Sequence, residues 1–348
     1  MFNIPTVTVA KTTLTGTASS VTLTYVAPSV AWTPRHLVLR ANGQASEQLN
    51  VDVRLNGDTG SNYSSQRMKG HATTTNAGKV NSDDSWFCGQ FSATVAASFE
   101  VLFPDALSTR SEKSGLSMLG DGEDAVIAHS LRWADTDAIA SATFMNNVGA
   151  TFSVGSTFEL CVVDESFKIN EQILSSDGTI TVSSISGANG DLVQIGNLRS
   201  TRALNRDLFE VTLNSDTTGG NYPHQEVNAN DTSINASATS ARYIGWVPGN
   251  NGDTGAFGAY VGQFVNYSDG ANDRTILSFS GGISEVGDGT GSSIRLFTSR
   301  WNNTAAITSI VLNPEHGSSP TFLAGSMLST YAVPKNLIER RELSTAAN

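Results

Sequence analysis

Short runs in which apolar and polar residues alternate recur along the chain, and Leu49-Asn-Val-Asp-Val-Arg-Leu55 is the clearest of them. A period of two puts Leu49, Val51, Val53 and Leu55 on one face of a strand and Asn50, Asp52 and Arg54 on the other. One face is expected to pack and the other to meet solvent. Comparable runs at Val21–Val26, His36–Arg40, Phe99–Phe103 and Phe158–Val163 predict further short strands, with Gly, Asn and Asp supplying the turns between them. Regularly spaced short strands of this kind predict an all-β chain built as a sandwich, jelly roll or barrel, and a jelly-roll-like β-sandwich fits best. Helical periodicity is confined to the end of the chain, where Pro334 precedes Leu337, Ile338 and Leu343; a short amphipathic helix is expected there.

The strand pattern occurs twice. Val53-Arg-Leu-Asn-Gly-Asp-Thr-Gly-Ser-Asn-Tyr63 matches Val211-Thr-Leu-Asn-Ser-Asp-Thr-Thr-Gly-Gly-Asn-Tyr222 with one inserted residue. Gly89-Gln-Phe91 recurs as Gly262-Gln-Phe264, and Ser111-Glu112 with Gly120-Asp-Gly122 as Ser284-Glu285 with Gly287-Asp-Gly289. Arg132-Trp133 with Ile139-Ala-Ser141 matches Arg300-Trp301 with Ile307-Thr-Ser309, and Phe152-Ser-Val-Gly-Ser156 matches Phe322-Leu-Ala-Gly-Ser326. An internal duplication follows, and its period sets the whole domain plan. The plan is two tandem β-sandwich repeats at 12–164 and 177–333, an N-terminal arm at 1–11, a linker at 165–176 and a C-terminal tail at 334–348. The linker is too apolar for a flexible tether, so the two domains are expected to pack together.

The 348 residues suit two domains at ~100–200 residues each. Only 15% of residues are charged, and the formal net charge is -11. A surface that grips phosphate needs clustered Lys and Arg, so nucleic acid and anionic membranes are not expected partners. Docking onto a basic patch of another protein is compatible with the charge. The N-terminal segment has neither a basic start nor an apolar core, and no stretch reaches the ~18 apolar residues of a membrane span. A protein made in a reducing cytoplasm is expected, with Cys88 and Cys161 as buried free thiols.

Little of the sequence reads as catalytic machinery. The histidines His36, His71, His129, His224 and His316 lack ligand spacing, and no nucleophile elbow, phosphate loop or dinucleotide fingerprint is present. No catalytic residue and no cofactor are expected. The repeated Asn/Asp turns make Asn56, Asp58, Asn214 and Asp216 weak Ca²⁺ candidates, because Ca²⁺ takes six to eight oxygen ligands. A turn in which Asn and Asp bond their own backbone explains the same residues more simply. Asp121 and Asp288 could pair with Asp58 or Asp216 as the two carboxyls of glycoside hydrolysis, and Trp133 and Trp301 could serve as sugar platforms or as core residues.

The Leu-Asn-Gly-Asp-Thr-Gly-Ser-Asn-Tyr stretch at 55–63 resembles a turn of the small jelly-roll modules of tailed-bacteriophage virion proteins. Ile307-Thr-Ser-Ile310, Phe322-Leu-Ala-Gly-Ser326 and Tyr331 resemble the closing strands of the same modules, while Cys161 stands near the place of that tyrosine in the first copy. The resemblance covers short parts of each copy. It implies a non-enzymatic virion protein, foremost a capsid decoration (cement) protein that bridges subunits of the major capsid protein. Such proteins are symmetric oligomers, commonly homotrimers, on the outer capsid surface. A tail or receptor-binding protein, or a carbohydrate-binding module, is the alternative.

Overall fold

Strands occupy the alternating runs in the computed structural model, which describes residues 4–71, 73–120, 125–146, 149–186, 190–284, 291–315 and 320–334; among them there is no α-helix. The first half comprises β1 (Thr6–Thr13), β2 (Ser20–Thr24), β3 (Leu37–Gly43), β4 (Leu49–Leu55), β5 (Tyr63–His71), β6 (Thr74–Asp83), β7 (Trp86–Phe91), β8 (Ala97–Phe103), β9 (Lys113–Gly120), β10 (Ala125–Trp133), β11 (Ser141–Met145) and β12 (Thr157–Val163). The second comprises β13 (Lys168–Ile173), β14 (Ile180–Val182), β15 (Gly190–Leu198), β16 (Arg206–Leu213), β17 (Pro223–Asn230), β18 (Ser233–Ser240), β19 (Tyr243–Pro248), β20 (Gly258–Val265), β21 (Arg274–Gly282), β22 (Ser293–Trp301), β23 (Ile310–Pro314) and β24 (Met327–Pro334).

The first half pairs as an eight-stranded sheet, β1-β12-β3-β8-β9-β10-β5-β6, facing a four-stranded sheet, β2-β11-β4-β7. The second half repeats both orders strand for strand, β13-β24-β15-β20-β21-β22-β17-β18 and β14-β23-β16-β19. Counting β2 to β8 and then β11 as eight successive strands, one sheet reads first-eighth-third-sixth and the other second-seventh-fourth-fifth. That is a jelly roll. The β9–β10 hairpin is an insertion between β8 and β5, and β1 and β12 widen the sheet beyond β3. Alternate residues of facing strands fill each sandwich, with Leu49, Val51, Val53, Trp86, Phe91 and Trp133 among the core residues of the first and Phe209, Val211, Tyr222, Tyr260 and Trp301 among those of the second.

Several expected boundaries move. Residues 6–13 are an edge strand, β1, paired along its length with β12, so most of the expected N-terminal arm belongs to the first sheet. The expected linker is likewise folded: Glu165–Phe167 forms a 3-10 turn capped by Asp164, and β13 pairs with β24 of the second sandwich. Phe167 and Leu174 pack against the sandwich cores, while Ile169 and Ile173 stay exposed. Pro334 ends β24, and the tail beyond it, with its expected helix, lies outside the described residues. Two sequence landmarks also fall on non-equivalent strands. Gly89-Gln-Phe91 is on β7 but Gly262-Gln-Phe264 is on β20, and Ser111 precedes β9 whereas Ser284 follows β21. The other landmarks occupy equivalent places. Phe152 and Phe322, for example, each bridge two segments of their own repeat.

The two sandwiches pack through their eight-stranded sheets. Met68, Leu102, Leu116 and Ala128 of the first meet Ile195, Val261, Phe279 and Ile294 of the second in one buried cluster. β6 lies against β18 and β5 against β17 and β22, while β9 lies against β20 and β21 and β10 against β21 and β22. Polar braces cross the interface. Ser114 donates to Asn197 Oδ1 at 2.8 Å, Asn197 donates to Ser111 Oγ at 2.8 Å, and Arg132 grips Glu112 while its Nη1 reaches Asp253 Oδ2 at 2.7 Å. At Gly281 the sheets approach so closely that a Cβ would sit 2.5 Å from that of Ser130. Gly281→Val should therefore overpack the contact and cost about 1–3 kcal/mol. Urea unfolding would show the loss, and faster hydrogen exchange in β10 and β21 would locate it.

Candidate functional site

The most repeated chemistry forms a structural brace. In the first sandwich Asp58 Oδ1 accepts the Gly60 N–H at 2.8 Å, and its Oδ2 accepts Asn62 Nδ2 at 2.8 Å and Trp133 Nε1 at 2.7 Å. The Tyr63 hydroxyl donates to the Leu55 and Asp58 carbonyls and accepts the Leu55 N–H. The second sandwich repeats the arrangement with Asp216, Asn221, Tyr222 and Trp301. Burial raises the pKa of each Asp, but the Trp and Asn hydrogen bonds outweigh it and hold both carboxyls below the usual range. Asn56 and Asn214 each bind two successive backbone N–H groups with the side-chain oxygen, at 140 and 141 and at 308 and 309. The oxygens that would ligate Ca²⁺ face N–H donors, and no cluster of His, Cys, Asp and Glu fit for a metal occurs among the described residues.

Trp133 and Trp301 are buried at 1% and 0% exposure, so neither offers a ring to a sugar. The cation-π contacts lie instead on Trp246, with Arg295 3.6 Å and Arg206 4.1 Å from the ring centre. Asp121, Asp288 and His316 lie outside the described residues. Cys88 and Cys161 are free and buried, and burial pushes both thiols up. Lys113 and Arg274 form a matched pair that sequence comparison passes over. Each starts the equivalent strand, is at most 1% exposed, and donates to carbonyls of the loop after β10 or β22: Thr136 for Lys113, and Thr304 and Ala305 for Arg274. Burial lowers Lys113 to about 8.

One polar cleft, about 470 Å³, opens where β7, the edge of the four-stranded sheet, stops short of the β5–β6 hairpin. Alternation puts Asp52 on the solvent side of β4, yet the hairpin and the Asp83–Ser85 turn cover it to 6% exposure. Burial first, and then the charges of Asp83 and Asp84, raise its pKa to about 7 against a smaller opposing pull from Arg54. Opposite stands His129, 1% exposed, with no hydrogen-bond partner on either ring nitrogen and its ring edge-on to Phe87 at 5.3 Å. Burial, and then the charge of Arg67, lowers His129 to about 3, so the ring is neutral. Arg67 and Lys69, two apart on the cleft face of β5, make no ion pair among the described residues.

The raised carboxyl sets a pH dependence. Folded Asp52 keeps its proton to about 7, whereas the unfolded group releases it near 4, so its contribution to stability falls as pH rises through that window. Asp52→Asn should match the parent at pH 4 and exceed it at pH 8 by about 1–3 kcal/mol, allowing for solvent in the open cleft. Chemical denaturation at the two pH values measures this directly.

The second sandwich fills the equivalent space. By strand register Gln90 corresponds to Trp246, Ile127 to Arg295 and Arg67 to Glu226. There Arg295 lies on the Trp246 ring and pairs with Glu226. β19 rests over β21 and β22, whereas β7 rests over β8 and β9. The cleft is thus particular to the first copy. Its signal in the sequence is divergence between matched positions, which a search for shared motifs discards.

No protein-family model matches the chain, and no curated protein matches it. Among solved structures the alginate lyase Aly36B is similar over 44% of this chain and 79% of its own, with 7% identity and a TM-score of 0.23. A likeness that slight carries no argument about activity.

Proposed function

We propose that this chain is a non-enzymatic structural protein of a tailed-phage virion, acting as a decoration protein that binds and stabilises the assembled capsid. The observation that carries this reading is the fate of the duplicated polar residues. Asp58, Asn62, Tyr63 and Trp133, and their counterparts Asp216, Asn221, Tyr222 and Trp301, satisfy one another inside each sandwich. What the duplication copies is a scaffold. Its two lobes join through buried apolar residues and crossed ion pairs, which suits a rigid bridge between subunits of the major capsid protein. Three such chains around one axis would present six similar sandwiches, a closed arrangement for three-fold or quasi-six-fold positions on a shell. A protein that binds only the assembled lattice stabilises it by its binding free energy. The resemblance of residues 55–63 and 307–331 to phage jelly-roll modules points the same way.

Electron microscopy of phage particles labelled with antibody to this chain tests the proposal. Label at lattice-regular points over the head is the expected result. Label confined to the tail would overturn the decoration role in favour of host attachment, and particles without label would overturn the virion assignment.

A further inference from the structure

We propose that the cleft of the first sandwich binds a carboxylated saccharide, with Arg67 and Lys69 holding the carboxylate and Asp52 and His129 meeting its hydroxyls. This goes beyond the scaffold role and stands without it. At about 470 Å³ the cleft falls within the range of small-molecule sites, about 300–1,000 Å³. His129 is buried with two unpartnered ring nitrogens, and Asp52 takes no hydrogen bond from a described residue. Buried polar groups are rarely left unmatched, and those that are unmatched beside an open cavity mark where a ligand completes them. A neutral imidazole offers one donor and one acceptor, which is what a hydroxyl complements.

The charges narrow the ligand further. Arg67 and Lys69 stand roughly 7 Å apart along β5 with no acidic partner among the described residues, so a single anionic group between them gains two charge-assisted bonds. Multiply charged anions suit the site poorly, because Asp83 and Asp84 border it. Asp84 is already engaged by Arg54 and Ser85, and Asp83 Oδ1 accepts the Asp84 N–H, which leaves these carboxylates less available to a ligand ammonium. Asp52 is a weak ammonium partner as well, since burial keeps it largely protonated up to neutral pH. Asn50, Gln90 and Ser65 add neutral donors and acceptors, and Phe87 adds an aromatic surface for ring C–H groups. One negative charge, many hydroxyls and an apolar ring edge describe a sugar acid.

Titration calorimetry of the full chain with galacturonate, which carries a single carboxylate, tests this, with galactose and inorganic phosphate as comparison probes. Galacturonate alone should bind at millimolar concentration or below. Lys69→Met should weaken binding about tenfold or more. Lys11→Met, which removes a cation far from the cleft on β1, should leave it unchanged. Gln90→Trp, which copies the residue that closes the second sandwich, should abolish it. If Gln90→Trp does not fold, Lys69→Met at the solvent edge of β5 still decides. Absence of binding by the folded parent up to tens of millimolar galacturonate overturns the proposal. So does equal affinity for galactose or phosphate, or retention of binding in folded Lys69→Met and Gln90→Trp.

Discussion

Trp133→Ala should destabilise the first sandwich by about 3–5 kcal/mol, and Trp301→Ala should do the same to the second. Each ring is fully enclosed, and each indole N–H is a donor to the Asp that organises the turn after β4 or β16. Truncation leaves a cavity the size of an indole and removes a 2.7–2.8 Å hydrogen bond from Asp58 or Asp216. Tyr63 packs 6.4 Å from Trp133 in stacked orientation and edge-on to Trp86 at 5.1 Å, so the first cavity also unseats the hydroxyl that holds the Leu55 and Asp58 carbonyls. Trp133→Phe should recover much of the packing but not the hydrogen bond, and the difference between the two variants isolates the brace. Unfolding curves followed separately in each sandwich, by hydrogen exchange, would give the two losses. Similar losses at the two positions are the signature of a duplicated structural element. A loss of ligand binding with stability intact would instead make these residues a surface site.

The two-residue alternation made much of this fold legible. β4 occupies the run Leu49–Leu55 residue for residue, and Val21, Phe99 and Phe158 fall within strands where their neighbours predict them. The duplication was legible because Asp, Asn, Tyr and Trp at fixed spacing perform one geometric task in both copies. Gly-Gln-Phe and Ser-Glu misled because short strings of common residues recur by chance in a chain so rich in Gly and Ser. β1 was hidden because Thr6–Thr13 carries few large apolar residues, and its place depends on a partner, β12, some 150 residues further on. The cleft was hidden for a related reason. Alternation says which side of β4 Asp52 occupies, but not that a hairpin from the other sheet curls over that side. Its walls come from β4, β5, β6, β7 and β10, which only tertiary structure brings together.

Arg132→Met should loosen the join between the sandwiches and cost about 3–5 kcal/mol, because it removes one partner from a largely buried ion cluster. The guanidinium is 8% exposed. It bonds Glu112 through two nitrogens at 2.7 and 3.2 Å and Asp253 through the third at 2.7 Å. Glu112 also donates its backbone N–H to the Gly255 carbonyl, so the cluster fixes the β9 end of one sandwich to the loop before β20 of the other. Without the arginine, Glu112 keeps a carboxylate at 13% exposure that has lost its hydrogen-bonded cation and retains only the longer-range attraction of Arg199, and that loss is the larger part of the cost. Arg132→Met combined with Glu112→Gln should therefore be more stable than Arg132→Met alone. The apolar contact of Leu116 and Ala128 with the second sheet remains, so the lobes should stay attached while exchange accelerates in β9, β10 and β21. The parent should unfold in urea in a single step and the variant in two, since the cluster couples the lobes. A single unchanged transition would mean that the apolar sheet contact alone carries the coupling.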